Sequence, residues 1–173
     1  GDALTRLVVA RSPRQLPAPF PMLRKILLGF LVLFLGAQAF RPEKNLSAAP
    51  ATSDLLVKHP APPAVERMLR SGCYDCHSEN TRYPWYAEIQ PLGWWLDQHV
   101  RDGKRALNLS LFGEWPAKRQ ASRLEEMVDT IAQREMPLPS YTLGHPEAKF
   151  TDAQIQELNG WLEALRDKVA PEE

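Results

Sequence analysis

The chain has 173 residues, of which 44% are hydrophobic and 24% charged, with 16 prolines and two cysteines. This length fits one domain with a modest core, and two cysteines exclude both a multi-disulfide scaffold and a four-cysteine zinc or iron–sulfur site. The net charge is zero, but residues 1–39 carry five basic residues and one acidic residue, and the mildly acidic remainder argues against a nucleic-acid partner, which needs a basic face.

The segment 22–39 has the pattern of an export signal. Arg24 and Lys25 precede an apolar run, and Ala37-Gln38-Ala39 supplies small residues at the positions that a signal peptidase reads. The apolar run is shorter than the roughly 20 residues of a spanning helix. We therefore expect either a cleaved signal peptide or a retained single-span membrane anchor. Both alternatives place the rest of the chain on the periplasmic side, because positive charge stays inside.

Two flanking segments complete the predicted organisation. Residues 1–21 are rich in Arg and Pro and precede Met22, so we expect an upstream leader that is not part of the fold. Residues 40–60 are polar, small and punctuated by proline, which indicates a flexible tether. The globular domain is then expected over 61–173.

The body is predicted to be all-α, with long loops and no strand. Apolar residues at steps of three and four predict four helices, over 63–71, 91–102, 116–134 and 152–169. Thr151 and Gln154 predict a capping box for the last helix, and Gly160 within that helix suggests the close approach of another helix. Four tryptophans are expected in the core: Trp94, Trp95, Trp115 and Trp161.

The chemistry is concentrated in the pentapeptide Cys73-Tyr74-Asp75-Cys76-His77. This C-x-x-C-H spacing is the attachment signature of c-type haem. Two thiols on one helical turn can form thioethers to the two vinyl groups of one porphyrin, and the adjacent His77 can bind the iron. The motif therefore predicts one covalent haem c, attached through Cys73 and Cys76 and ligated by His77, and covalent attachment outside the cytoplasm agrees with the export signal.

Three other interpretations of the two cysteines are weaker. A dithiol redox site is typical of a βαβ context, and the sequence pattern predicts no strand. A zinc site lacks a second ligand pair at suitable spacing. A simple disulfide explains neither His77 nor the aromatic loops.

Met136 is the first candidate for the sixth iron ligand. It lies just past the third predicted helix and before Pro137, in a strip held extended by two prolines. A thioether opposite histidine raises the reduction potential, which suits an electron carrier. The alternatives are that Met136 only fills space in the core, or that His145 is the ligand and lowers the potential.

The loop that follows the motif supplies two further candidates. Arg82 could pair with a haem propionate, and Trp85 could cover a haem edge. An ordinary surface loop with aromatic packing is an equal alternative. These residues complete the predicted cofactor-binding set of Cys73, Cys76, His77, Met136, Arg82 and Trp85.

From Arg41 onward the sequence resembles the small bacterial haem-binding-domain family, whose members are exported or membrane-tethered cytochrome c-like proteins. The resemblance covers roughly residues 41–165. It rests on short strings of residues, chiefly Arg41-Pro42-x-Lys44-Asn45, Cys73-x-x-Cys76-His77-Ser78, Asn80-Thr81-x-x-Pro84-Trp85-Tyr86, Trp94-Trp95-x-x-x-x-His99-Val100-x-x-Gly103 and Met136-Pro137-x-x-x-Tyr141-x-x-x-His145. It implies a cytochrome c-like helical fold with one covalent haem c, and no settled catalytic activity.

The leading functional hypothesis is a single-haem electron carrier on the periplasmic side, which passes one electron to a redox partner protein not identified by the sequence. The alternative is a haem peroxidase or a sensor of diatomic gases with a displaceable distal ligand. A haem-free dithiol protein is the third hypothesis. No catalytic residue is assigned, and whether the protein is an enzyme stays open.

Overall fold

The computed structural model describes residues 21–47 and 52–171, and it divides the chain into one unit over Gly1–Ala39 and another over Phe40–Glu173. In the first unit, helix α1 spans Pro21–Ala37. Among the described helices, none has both the length and the apolar character that crossing a membrane requires. The predicted leader lies outside the described residues except for Pro21.

The second unit is built from helices and connecting turns. The remaining α-helices are α2 (Leu55–Lys58), α3 (Pro63–Gly72), α4 (Tyr74–His77), α5 (Leu92–Ala106), α6 (Ala117–Ala132), α7 (Pro139–Gly144) and α8 (Asp152–Val169). Short 3₁₀ helices occupy Trp85–Glu88, Leu109–Glu114 and Pro146–Ala148. The part of the chain that the structure describes contains no strand, only an isolated bridge between Leu46 and Asn80. The prediction of an all-α fold is confirmed.

The four predicted helices correspond to α3, α5, α6 and α8, with ends that differ by up to four residues. Pro63 opens α3, where its missing N–H costs no hydrogen bond. The capping box of α8 is also present: Thr151 Oγ1 accepts from the N–H of Gln154, and the Gln154 side chain accepts from the N–H of Thr151. Local signals therefore set these helix starts.

The core lies mainly between α6 and α8, with α3 packed against them. Its buried side chains include Leu124, Met127 and Ile131 from α6, Leu158, Leu162 and Leu165 from α8, and Val65, Met68 and Leu69 from α3. A Cβ on Gly160 would meet nothing within 4 Å, so the expectation that another helix closely approaches this glycine is wrong.

Two of the four tryptophans expected in the core lie at the surface. Trp115 and Trp161 pack against the core. Trp94 and Trp95 are instead 41% and 45% exposed. The indole N–H of Trp94 donates to the carbonyl of Phe40 at 2.6 Å, and the Trp95 ring contacts His99.

Part of the segment expected to be a flexible tether packs into the domain. Leu55 and Leu56 are buried in the core. Asp54 caps α2 by accepting from the N–H of Leu56, and it also accepts from the Tyr74 hydroxyl at 2.8 Å. The polar and proline-rich flanks hide this short apolar pair from periodicity analysis, because a helix of one turn has no repeat to detect. The compact unit therefore begins at Phe40 rather than at residue 61.

Candidate functional site

The motif forms one helical turn that carries both cysteines and the histidine. The carbonyl of Cys73 accepts from the N–H of Cys76 at 3.2 Å and from the N–H of His77 at 2.9 Å. Both cysteines are free thiols and lie partly buried. Burial, together with the neighbouring thiol, raises the pKa of Cys73 to about 12, and burial with the charge of Asp75 raises the pKa of Cys76 to about 11. Both groups are therefore protonated at neutral pH.

The surroundings of His77 leave one of its ring nitrogens free to bind a metal. Its Nδ1 lies 3.0 Å from the carbonyl oxygen of Leu107. A carbonyl oxygen only accepts hydrogen bonds, so Nδ1 carries the proton and the lone pair is on Nε2. Burial lowers the pKa of His77, which favours the neutral ring. Metal-binding histidines commonly use their second nitrogen in this way.

Two cavities flank His77, and both are lined mostly by apolar surface. They have volumes of about 140 Å³ and 260 Å³. Their linings share Gly72, His77, Ala106 and Met136. The smaller cavity continues along α6 and includes Cys73, whereas the larger continues between α5 and α7 and includes Cys76.

This arrangement fits a haem. A flat apolar macrocycle needs apolar walls, two thiols placed apart and an imidazole with a free nitrogen, and the cavities provide all three. Glycines bring the surrounding backbone close. A Cβ on Gly72 would lie 2.6 Å from the Phe150 ring, and a Cβ on Gly103 would lie 2.5 Å from the carbonyl oxygen of Cys76.

Met136 reaches the cavities because the chain turns sharply after α6. Arg134 has a φ of 57°, in the left-handed region that ends many helices. The N–H groups of Glu135 and Met136 then both point to the carbonyl of Thr130, at 2.9 Å and 3.2 Å. The Met136 side chain lines both cavities and is 37% exposed. The structure therefore brings Met136 to the same site as His77.

Three other candidates line neither of these cavities. Arg82 forms a two-pronged ion pair with Asp75, with Nε–Oδ1 and Nη2–Oδ2 distances of 3.0 Å. Trp85 is 77% exposed. His145 stacks on the Tyr141 ring at a centroid distance of 4.0 Å. The proposed contacts of Arg82 and Trp85 with haem, and ligation by His145, remain predictions that this geometry does not support.

His99 belongs to the site, although the sequence analysis did not select it. It lines the larger cavity together with His77 and Met136. Its Nδ1 lies 2.8 Å from the carbonyl of Trp95, so Nδ1 donates a hydrogen bond to this carbonyl. His99, Gly103 and Ala106 are spaced so that they share one face of α5. A histidine with two small residues on the same helix face is the sequence pattern that could have identified His99 as a site residue.

A polar network fixes the loop after the motif. Lys104 donates to Asn45 Oδ1 at 2.6 Å and to Glu79 Oε2 at 2.9 Å, while Asn108 donates to Glu79 Oε1 at 2.6 Å. Burial acts to raise the pKa of Glu79, but the hydrogen bonds that Glu79 accepts from Lys104 and Asn108, together with the charge of Lys104, lower it overall. The network joins α5 to the motif loop, which holds His77 against the end of α5.

Comparison with protein-family models matches residues 32–164 to a family described as "Haem-binding domain". The comparisons with curated proteins and with solved structures give no significant match. The matched residues cover well over half of the chain and contain the motif, both cavities and all of the candidate ligands. The chain belongs to the haem-binding-domain family.

Proposed function

We propose that the protein is a c-type cytochrome that carries one haem c, covalently attached through Cys73 and Cys76, and transfers single electrons on the periplasmic side. One observation supports this most strongly. His77, whose Nδ1 is held by the Leu107 carbonyl, lines two apolar cavities, each of which is also lined by one cysteine of the motif and by Met136.

Haem supplies reversible one-electron chemistry at its iron when it is bound. The chain's own residues control that chemistry. Leu107 fixes the His77 ring through Nδ1, and Met136 offers a soft sulfur that favours the reduced metal. Mostly apolar walls around the bound group would further favour its state of lower charge.

The all-helical fold around the motif supports the proposal of an electron carrier. The helices pack around the motif, and Met136 remains partly exposed. This exposure of Met136 gives a redox partner protein a short path to the site. In this proposal the segment 22–39 directs export, and it is either cleaved after Ala39 or retained as a membrane anchor.

High thiol pKa values do not favour the dithiol alternative. Reactive C-x-x-C thiols have lowered pKa values, whereas burial raises those of Cys73 and Cys76.

Protein produced with the haem maturation machinery distinguishes a c-type cytochrome from a haem-free dithiol protein. We expect a c-type pyridine haemochrome spectrum and haem that stays with the protein after acid–acetone extraction. Colourless, fully matured protein would contradict the proposal.

Met136→Leu tests the sixth ligand. Leucine keeps the apolar volume at a usual cost below about 1.5 kcal/mol but cannot bind iron. We expect the ferric sulfur-to-iron absorption band to disappear in this variant. Met127→Leu is the matched control, because Met127 lines the smaller cavity but belongs to the buried face of α6. A band that persists in Met136→Leu would reject this ligand.

A second function, peroxide chemistry or gas binding at a displaceable distal site, is favoured by one observation. His99 lines the cavity beside the partly exposed Met136, where a histidine could exchange a proton with a bound ligand. Tight binding of carbon monoxide or cyanide by the untreated protein at neutral pH would favour this function. Absence of such binding would favour the electron carrier.

A further inference from the structure

The motif contains a buried carboxylate that the proposed haem chemistry does not use. Asp75 lies between the two cysteines and is 5% exposed. The guanidinium of Arg82 binds both oxygens of Asp75, and the backbone N–H of Arg82 also donates to Oδ1 at 3.2 Å. Tyr141 donates to Oδ2 at 2.7 Å. A buried charge needs such partners, because leaving it unsatisfied is costly.

Tyr141 belongs to the chain segment that carries Met136. It follows Met136 by five residues, on α7, and it lines the larger cavity. Its hydroxyl lies 2.9 Å from the carbonyl of Ser71 as well as 2.7 Å from Asp75. Burial and the hydrogen bond to Asp75 raise the pKa of Tyr141, so the hydroxyl keeps its proton. These bonds join the Met136 segment to the turn that carries Cys73, Cys76 and His77.

We propose that Tyr141, held by Asp75, is a positioning residue that keeps Met136 over the haem iron. This inference rests on the proposed function. Pro137 and Pro139 restrict the backbone between Met136 and Tyr141. A movement of this segment that takes Met136 away from the iron therefore also separates the Tyr141 hydroxyl from a buried carboxylate. The hydrogen bond therefore disfavours the open state, in which another ligand could reach the iron.

Tyr141→Phe tests the proposal, because phenylalanine keeps the ring and its stacking on His145 but removes the hydroxyl. The matched control is Tyr74→Phe. Tyr74 also donates to a buried carboxylate, Asp54 Oδ1 at 2.8 Å, but on the side of the motif turned toward α2. Both variants lose a similar hydrogen bond, and only one of them loses the link to the Met136 segment.

The measurement is imidazole binding to the ferric holoprotein at neutral pH, together with the sulfur-to-iron band and thermal unfolding. We expect Tyr141→Phe to bind imidazole about tenfold more tightly than the parent protein, since the open population rises with loss of the bond. The band should weaken, and haem should remain covalently attached. Tyr74→Phe should bind imidazole as the parent protein does.

Two results would overturn the inference: an unchanged imidazole affinity in Tyr141→Phe, or an equal increase in both variants, which indicates general loosening. Failure of the proposed function has a different signature. In that case the parent protein itself lacks acid-stable haem or lacks the sulfur-to-iron band, before any tyrosine is changed.

Discussion

Replacing Gly103 with alanine tests how α5 supports the motif. Gly103 lies in the last turn of α5, directly against the backbone of Cys76. A Cβ at this position would lie 2.5 Å from the Cys76 carbonyl oxygen and 3.1 Å from the Cys76 carbonyl carbon and Cβ. These are mostly backbone atoms, which cannot rotate away as a flexible side chain does. The two helices must therefore separate.

The expected cost follows from two opposing effects. Forcing an extra methyl group into a packed interface costs about 1–3 kcal/mol, and contact with backbone points to the upper end of that range. Alanine gains about 1 kcal/mol over glycine within a helix. The free energy of unfolding should therefore fall by about 2 kcal/mol in Gly103→Ala.

Gly160→Ala is the matched control, because Gly160 also lies within a helix but a Cβ there would meet nothing within 4 Å. This variant should gain about 1 kcal/mol from helix propensity alone. Urea unfolding of the holoprotein, followed by circular dichroism, measures both changes. The reasoning is refuted if Gly103→Ala is as stable as the parent protein, or if the two variants shift in the same direction.

Two further predictions concern regions outside the site. The Nδ1 atom of His59 is buried without a hydrogen-bond partner in the described structure, and burial with the charges of Lys168 and Lys58 lowers the pKa of His59 from its ordinary value of 6.5. The stability contributed by neutral His59 is thus complete above pH 6.5 and is lost as the pH falls through the lowered folded-state pKa. His59→Leu should therefore lose less stability than the parent protein between pH 7.5 and pH 5 in urea titrations; an identical loss would contradict this. Thr151→Ala should cost about 1 kcal/mol by removing the cap of α8, and Thr151→Ser should recover most of it.

The long helices were predictable because their stability comes from an apolar stripe that the sequence displays. α6 and α8 bury residues at steps of three and four, and the capping box marks the start of α8. The short helices α2 and α7 were not predicted, and the motif turn α4 was expected from its chemistry rather than from periodicity. Elements of four to six residues have no period to detect, and their formation depends on tertiary contacts.

The motif was also predictable, since its chemistry depends on residues three positions apart. Apart from Met136, its surroundings were not. The partner of Asp75 on α7 is 66 residues away along the chain, and the carbonyl that fixes His77 is 30 residues away. Arg82 shows the consequence: a lone arginine near a haem motif suggested a propionate, but the buried carboxylate two residues before His77 takes its guanidinium.

The exposed Trp94 and Trp95 show a similar limit. A large aromatic residue is expected in the core, but its indole N–H needs an acceptor when buried. Trp94 finds its acceptor in the carbonyl of Phe40, at the edge of the domain. The sequence shows the aromatic area, whereas the position of the acceptor depends on where the chain enters the domain.

The motif helix α4 has only four residues, too few to be stable alone. Its geometry must come from neighbours: α5 contacts it through Gly103, the chain after α5 fixes His77 through the Leu107 carbonyl, and α7 reaches it through the bond from Tyr141 to Asp75. The ligand geometry is therefore set by contacts that are distant in sequence. It follows that conservative changes at Gly103 or Tyr141 should alter the surroundings of His77 and Met136, even though C-x-x-C-H itself is untouched.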